Sequence, residues 1–234
     1  MAENKVIIIT GTRKGLGNKL ALRYLEQGHN VVGCSRGNAS INQENYMHFE
    51  LDVSDEREVI RLVRSVKSKF GRIDVLINNA GSASMNHLLT SPYKRAREIF
   101  ETNFFGTFLF SREVSKAMIK SGKGSIVNFT TVAVPLNLEG EAIYAASKSS
   151  VEALTKIAAK ELGEFGIRVN AIGPTPIKTD LIKSVPSEKL DDLIGHQAIK
   201  RFGEHRDVSQ VVDFLIDEHS DFITGQILYL GGVV

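Results

Sequence analysis

The chain has 234 residues, 42% hydrophobic and 24% charged, which allows one substantial core and is short for two. A formal charge of +2 with no basic run interleaved with aromatics excludes the usual signature of a nucleic-acid binder, and the single cysteine, Cys34, excludes an internal disulfide and fits a reducing compartment. The N-terminal apolar run Val6 to Ile9 is too short for a signal-peptide core or a membrane span, so a cytoplasmic protein with no membrane and no nucleic-acid partner is expected.

Apolar runs of strand length then alternate with longer amphipathic stretches: Val6 to Ile9, Val31 to Cys34, Met47 to Leu51, Ile73 to Ile77, Ser125 to Phe129, Ile167 to Ala171 and Gln226 to Leu230. The clearest helix is Asp55 to Phe70, where Val59, Val63, Val66 and Phe70 recur at helical spacing behind Ser54 as the expected N-cap. Short buried strands between amphipathic helices imply a parallel sheet covered on both faces. The expected fold is a single α/β domain over 1–234, a doubly wound, Rossmann-type parallel sheet of seven strands with helices on both faces. The segment 178–201 breaks the alternation with Pro186, Gly195 and scattered Ile182, Val185, Leu190, Leu193 and Ile194, and reads as a substrate lid of short helices.

The first strand runs into Thr10-Gly-Thr-Arg-Lys-Gly-Leu-Gly17, followed by a helix that carries Leu20, Ala21 and Leu25 on one face and ends near Gly28. Gly11 suits a tight turn, while Gly15 and Gly17 clear side chains where a pyrophosphate meets backbone N–H groups and where the helix packs on the sheet. The helix N-terminus adds favourable charge for an anion. The spacing is Gly-x-x-x-Gly-x-Gly, distinct from the commoner Gly-x-Gly-x-x-Gly, and glycines of a plain turn are the alternative. The second strand ends at Ser35 and Arg36, with no carboxylate there to hold a ribose diol. Arg36 together with Arg13 and Lys14 presents three cations to an extra phosphate. NADP(H) is therefore expected over NAD(H), against the alternative of three solvated surface cations.

Tyr144-Ala-Ala-Ser-Lys148 places a phenol and an ammonium on one face of a helix. So close a cation favours the phenolate, and is expected to lower the tyrosine's proton affinity and make Tyr144 a general acid or base. The same spacing also describes a half-buried aromatic beside a surface lysine. His87, His196 and His205 stand alone, without the spacing of a metal site.

Taken together, Thr10-Gly-x-x-x-Gly-x-Gly17, Asn78-Asn-Ala-Gly81, Asn103, Tyr144-x-x-x-Lys148 and Asn170-Ala-Ile-Gly-Pro174 resemble the short-chain dehydrogenase/reductase family in its compact form, closest in appearance to 3-oxoacyl carrier-protein reductases. The resemblance implies hydride transfer between a nicotinamide and a ketone or secondary alcohol, with Tyr144 as acid/base, Lys148 lowering its pKa and holding ribose hydroxyls, and Asn103 holding a relay water. Thr131 occupies the position of the family's serine and keeps its hydroxyl, while its methyl group stiffens χ1 and narrows the pocket. Thr130 beside it faces the other way and reads as structural. The resemblance also implies a cofactor site of Gly11, Thr12, Arg13, Lys14, Gly15, Leu16 and Gly17 in the turn; Ser35 and Arg36 at the second strand; Asp52 and Val53 beside the adenine; Asn79, Ala80 and Gly81 on the ribose side; and Pro174, Ile177 and Thr179 at the nicotinamide. A homodimer or homotetramer is implied, with the small residues Ala145, Ala146, Ser149 and Ser150 permitting close helix contact.

The chain departs from the family pattern at Thr131, at Pro174-Thr175, and at Leu230-Gly-Gly232. Phe165 replaces a basic residue expected beside the entrance of carrier-protein reductases, which argues against a carrier-protein substrate. Lys120 and Lys123 are placed near that entrance as a solvated turn or as readers of an anionic patch. The apolar stretch Val132 to Leu138 suggests a partly apolar ketone or plain packing. Two rival readings stand beside a general ketone reductase: a 3-oxoacyl carrier-protein reductase, and a dinucleotide-binding regulatory protein with weak or no catalysis.

Overall fold

The computed structural model describes residues 4–178 and 185–233; the expected lid residues 179–184, and with them Thr179, lie outside the described residues. Seven parallel strands form one sheet in the order β3-β2-β1-β4-β5-β6-β7. They are β1 Val6–Thr10, β2 Asn30–Ser35, β3 Tyr46–Glu50, β4 Val75–Asn78, β5 Gly124–Phe129, β6 Ile167–Gly173 and β7 Ile227–Tyr229. Every apolar run names a strand, with ends displaced by a residue or two. β4 starts at Val75 because the Asp74 carboxylate turns back to accept the Val6 N–H at 2.7 Å and the Arg72 Nε at 3.1 Å.

Successive residues of β1 point to opposite faces, so Ile8 joins one core and Ile7 and Ile9 the other. The first core is closed by α2 (Glu56–Phe70), α4 (Gly106–Met118) and α6 (Ala142–Leu162), through Val59, Leu62, Phe110, Val114, Ala158 and their neighbours. The second is closed by α1 (Gly15–Glu26) and α8 (His205–Ile216), through Leu20, Tyr24, Val208, Val212 and Leu215. Between β4 and α4 runs α3 (Tyr93–Phe100), and α5 (Ala133–Leu136) follows β5. The strand order reverses between β1 and β4, which opens a crevice at their carboxyl ends.

α7 (Ser187–His196) lies in the expected lid and is attached by an apolar contact: Leu193 sits with Val132 and Val233 in a small satellite core, with Leu136, Leu138 and Tyr229 packed against it. The apolar stretch after Thr131 therefore holds α7 down, which is packing and not a free apolar pocket wall. Lys120, Lys123 and Phe165 precede the amino ends of β5 and β6. Within one chain they are thus at the opposite edge of the sheet from the crevice, so neither the lysines nor the missing basic residue at 165 borders the site entrance.

The N-cap of α2 is Asp55 and not Ser54. Its carboxylate accepts the N–H groups of Arg57 and Glu58 at 2.9 and 3.2 Å, while the Ser54 hydroxyl donates to Asp52 at 2.7 Å. An ionised cap meets the helix dipole better than a hydroxyl does. Asp55→Ala is expected to destabilise the protein by about 1 kcal/mol and lower its melting temperature by roughly 2–4 °C, with Ser54→Ala having a smaller effect; differential scanning calorimetry of the two variants decides which residue caps.

Candidate active site

The glycine turn is shaped by contact with the end of β4. Gly11, at φ 77°, leaves β1 with its N–H and that of Thr12 on the Cys34 carbonyl at 2.8 and 3.2 Å. A side chain there would press on Ala80 Cα and Asn79 Nδ2 at 3.0 Å, and one on Gly17 would overlap the Gly11 carbonyl. Asn79 Nδ2 donates to Thr10 O and the Ala80 N–H to Thr10 Oγ1, both at 2.9 Å. Asn79 and Ala80 thus lock the ends of β1 and β4 together. Gly15 has open space where a side chain would point, and α1 begins behind Lys14 with no side-chain cap. Its first N–H groups are left for an anion. Leu16 turns away to pack on the apolar face of α1.

The three expected cations do not share one cleft. Arg13 and Lys14 line a cleft of about 580 Å³ with Gly37, Asn38, Ala39, Ser40 and Glu50. Arg36 lines a neighbouring one with Asp52, Ser54, Ser82 and the first turns of α3. The separation follows from the loop after β2. Arg13 lies over Gly37, where a side chain would meet its Nη1 at 3.1 Å, and the Ser40 hydroxyl donates to Arg13 O at 2.9 Å. Ser35 is engaged with the same loop, donating to Gly37 O at 2.8 Å. A carboxylate does stand in the first cleft, because Glu50 ends β3 opposite Ser35.

Beneath that cleft runs a chain of polar groups that sequence reading missed. Thr12 Oγ1 and Tyr46 OH are 2.8 Å apart, Tyr46 OH and His48 Nδ1 2.9 Å, and His48 Nε2 and Gly37 O 3.0 Å. Since a carbonyl only accepts, His48 donates from Nε2 and accepts from the Tyr46 hydroxyl at Nδ1. A side chain on Gly33 would overlap the Thr12–Tyr46 pair. Tyr46 and His48 alternate with core residues of β3, the period-2 signal that marks one shared face. Asp52 is held by Ser54, and Val53 is buried against Gly106 of α4.

At the other end of the crevice the structure brings Asn103, Thr131, Tyr144 and Lys148 together, all under a tenth exposed. The Lys148 ammonium donates to Phe129 O, the last residue of β5, at 2.7 Å. A side chain on Gly81 would sit 3.6 Å from the same Nζ and 3.5 Å from Asn103 Oδ1, so the glycine leaves this floor open. Asn103 lies in a π-helical turn, Glu101–Phe105, inserted between α3 and α4 and closed by the Gly106 N–H on Glu101 O. Such a turn is a common way to present a group at a site. Its carboxamide is fully engaged: Oδ1 accepts the Ser82 N–H at 2.8 Å, and Nδ2 donates to Ser82 O and Ser147 Oγ, both at 2.9 Å. Ser82 and Ser147 were not singled out from the sequence; each is identifiable only through this partner. The Asn103 carbonyl accepts the Thr107 hydroxyl at 2.8 Å.

Thr131 acts on the Tyr144 phenol in the direction that lowers its pKa, and its hydroxyl accepts the Ala133 N–H at 3.2 Å. Burial and the Glu141 carboxylate outweigh it and push Tyr144 up to about 12. The expected lowering by Lys148 is not what this chain produces: burial dominates the phenol, and the ammonium is turned to Phe129 O. Burial likewise brings Lys148 down to about 8. Thr130 faces away, donating to Glu152 Oε1 at 2.5 Å, and is structural. Pro174 O accepts the Val132 N–H at 3.4 Å, and Ile177 bridges to Gly203, so both stand beside the crevice mouth. Among the described residues no His, Cys, Asp and Glu cluster could hold a metal.

An anion-ready glycine turn at the topological switch point, leading to a buried phenol, ammonium and hydroxyl, defines a dinucleotide-binding oxidoreductase. A family model described as enoyl-(acyl carrier protein) reductase matches residues 11–232. The 3-oxoacyl-(acyl-carrier-protein) reductase FabG of Staphylococcus epidermidis is 32% identical over 98% of this chain and 98% of that protein, and the one from Thermotoga maritima 32% identical over 98% and 97%. Among solved structures, ElxO with NADP bound matches with a TM-score of 0.90 at 33% identity over 99% of both chains. Ligand-free Thermoplasma acidophilum aldohexose dehydrogenase matches with a TM-score of 0.89 at 29% identity, covering 99% of this chain and 94% of that one. The chain belongs to the short-chain dehydrogenase/reductase family.

The depressed pKa of Lys148 carries a stability prediction. Its folded value, about 8, lies below the ordinary 10.5 of an exposed lysine. The unfolded chain therefore holds the extra proton between those values, so this group opposes folding most strongly below pH 8 and progressively less as pH rises through the window. That penalty is about 3 kcal/mol at neutral pH, against about 1–3 kcal/mol for orphaning Phe129 O. Lys148→Met is expected to melt at or above the parent temperature at pH 7 while losing activity; a large drop in melting temperature would show that the ammonium is a net stabiliser.

Proposed function

We infer that this protein is an NADP(H)-dependent ketone reductase, running in reverse as a secondary-alcohol dehydrogenase, with Asn103, Thr131, Tyr144 and Lys148 as its catalytic group. The observation that carries the reading is the convergence of those four buried side chains at the floor that Gly81 leaves open. The residues present fit the cofactor. Gly11, Gly15 and Gly17 with the α1 N-terminus receive the pyrophosphate; Thr12, through Tyr46, Ser35 and Leu16 shape the loop beneath it; Asp52 and Val53 flank the adenine; and Asn79, Ala80 and Gly81 wall the ribose. Arg13 and Lys14 take the 2′-phosphate while Arg36 closes the adjoining cleft, and Pro174, Ile177 and Thr179 border the nicotinamide. Bound NADP(H) supplies or accepts the hydride.

Thr131 orients the substrate oxygen with its hydroxyl, and Tyr144 donates a proton to that oxygen as negative charge develops on it. Lys148 holds ribose hydroxyls, and Asn103 holds a water that passes protons to the lysine. Since burial and Glu141 keep Tyr144 protonated, reduction is level through neutral pH and is lost only as pH rises through the phenol's pKa, whereas oxidation gains over that range. The segment 178–201 serves as the lid, its α7 hinged on the Leu193 contact. The chain works in the cytoplasm as a homodimer or homotetramer, with the exposed Ala146, Ser149 and Ile157 of α6 facing another subunit. No helix among the described residues is long and apolar enough to cross a membrane.

A second reading, reduction of a 3-oxoacyl thioester, is favoured by the names of the Staphylococcus epidermidis and Thermotoga maritima relatives. Turnover of acetoacetyl thioester in preference to simple ketones selects it. The cofactor is tested by thermal shift, since a ligand bound only by the folded state raises its melting temperature. NADPH is expected to stabilise more than NADH, Arg13→Ala to erase that preference more completely than Arg36→Ala, and Glu50→Gln to strengthen NADPH binding by removing a like charge. Equal shifts by both nucleotides would sink the NADP(H) assignment. Tyr144→Phe is expected to keep the NADPH shift and lose at least about 100-fold in kcat.

A further inference from the structure

Glu141 acts on the Tyr144 phenol, but no contact with substrate has been assigned to it. It is the N-cap of α6, its carbonyl accepting the Ala145 N–H at 2.7 Å, and it stands one helical turn before Tyr144 on the same side of the helix. The residue is half-buried, and among the described residues its carboxylate has no hydrogen-bond partner. Its acceptor capacity is therefore open to water or to a ligand hydroxyl.

The surroundings say what is missing. Gly140 is fixed by the Asn86 N–H on its carbonyl at 2.8 Å, and a side chain on Gly140 would meet Met85 Cγ at 3.3 Å and Lys189 Nζ at 3.8 Å. Lys189 belongs to α7, the helix over the site, and its ammonium acts electrostatically on Glu141 without bonding it. Glu141 in turn acts on Tyr144. Glu141 and Tyr144 thus share one face of α6, and Met85 and the Lys189 ammonium border the turn that leads into it. The paired charges sum to zero, which suits a neutral polar ligand and gives no preference to an ammonium or a carboxylate. The apolar residues nearby are not available to a long alkyl chain, because Val132, Leu136 and Leu138 are packed against Leu193.

We propose that Glu141 is a specificity-determining residue that accepts a hydrogen bond from a hydroxyl next to the reacting carbonyl, so that the substrate is a small neutral hydroxyketone or the corresponding diol, with Lys189 donating to a further substrate oxygen. This rests on the ketone-reductase reading above. A carboxylate accepts and cannot donate, so a substrate carrying a methyl group in place of that hydroxyl excludes water from the charge without pairing it.

The test uses the full-length enzyme with NADPH and two ketones of matched shape, hydroxyacetone and butanone, and reads the ratio of their kcat/KM values. The parent is expected to favour hydroxyacetone, and the ratio to fall about 10- to 100-fold in Glu141→Ala, the range for a hydrogen bond to a charged group. Glu141→Gln keeps an acceptor of the same size and is expected to fall in between, which preserves the comparison if the alanine variant fails to fold. A general structural role for Glu141 would change both substrates alike and leave the ratio where it was. An unchanged ratio in both variants overturns the proposal, as does a parent that reduces butanone equally well or only acetoacetyl thioester, while the reductase reading stands. A parent that binds NADPH and reduces none of the three overturns both.

Discussion

A buried ammonium organises this molecule. Lys148 is 4% exposed and has one protein hydrogen bond, to Phe129 O at 2.7 Å, so folding must hold a charge that water would solvate better. What permits it is the rigidity of the elements around it. Asn78 Nδ2 donates to Asn128 Oδ1 at 2.8 Å and to Ser111 Oγ at 3.0 Å, and Asn128 Nδ2 donates to Thr155 Oγ1 at 2.9 Å, tying β4, β5, α4 and α6 with side-chain bonds inside the core. These side-chain bonds hold the four elements in one arrangement, although the Asn78 Oδ1 inside the ladder has no partner among the described residues. The π-helical turn that offers Asn103 to Ser147 is braced by the same helices, so the lysine's position is set from two sides.

The cofactor end follows the opposite electrostatic rule. Its cations are on the surface, where each is worth little alone, and recognition comes from how the loop after β2 places them. The Thr12–Tyr46–His48–Gly37 chain fixes that loop from beneath, and Gly33 makes room for it. Arg13 and Lys14 face Glu50 across one cleft, so any preference for a 2′-phosphate is a difference between two attractions and one repulsion. Arg36, the first residue after β2, lines the neighbouring cleft.

Periodicity and spacing made the sheet, the glycine turn and the Tyr144–Lys148 face legible, because each depends on residues close in sequence. The misreadings all involve a partner from elsewhere in the chain. Ser54 looked like the cap of α2, but Asp52 takes its hydroxyl and Asp55 caps the helix. The Tyr144 pKa was misjudged for the same reason. Helical spacing places Lys148 on the right face, but the phenol is governed by its burial and by Glu141, and the ammonium by its burial.

The departures from the family pattern look like decay only while they are read one at a time. Thr131 keeps a hydroxyl that acts on Tyr144, and its bond from the Ala133 N–H starts α5. Thr175 is 7% exposed and lies against two glycines: a side chain on Gly231 would meet its methyl at 2.6 Å, and one on Gly203 its hydroxyl at 3.2 Å. Leu230 donates its N–H to Gly173 O at 3.0 Å and packs on the second core. An extra methyl group, a filled space between two glycines and an apolar contact in place of a polar one are adjustments that tighten the crevice mouth. A chain drifting away from catalysis has no physical reason to keep an uncompensated ammonium buried beside them, because replacing it with an apolar side chain relieves the fold of its largest local penalty.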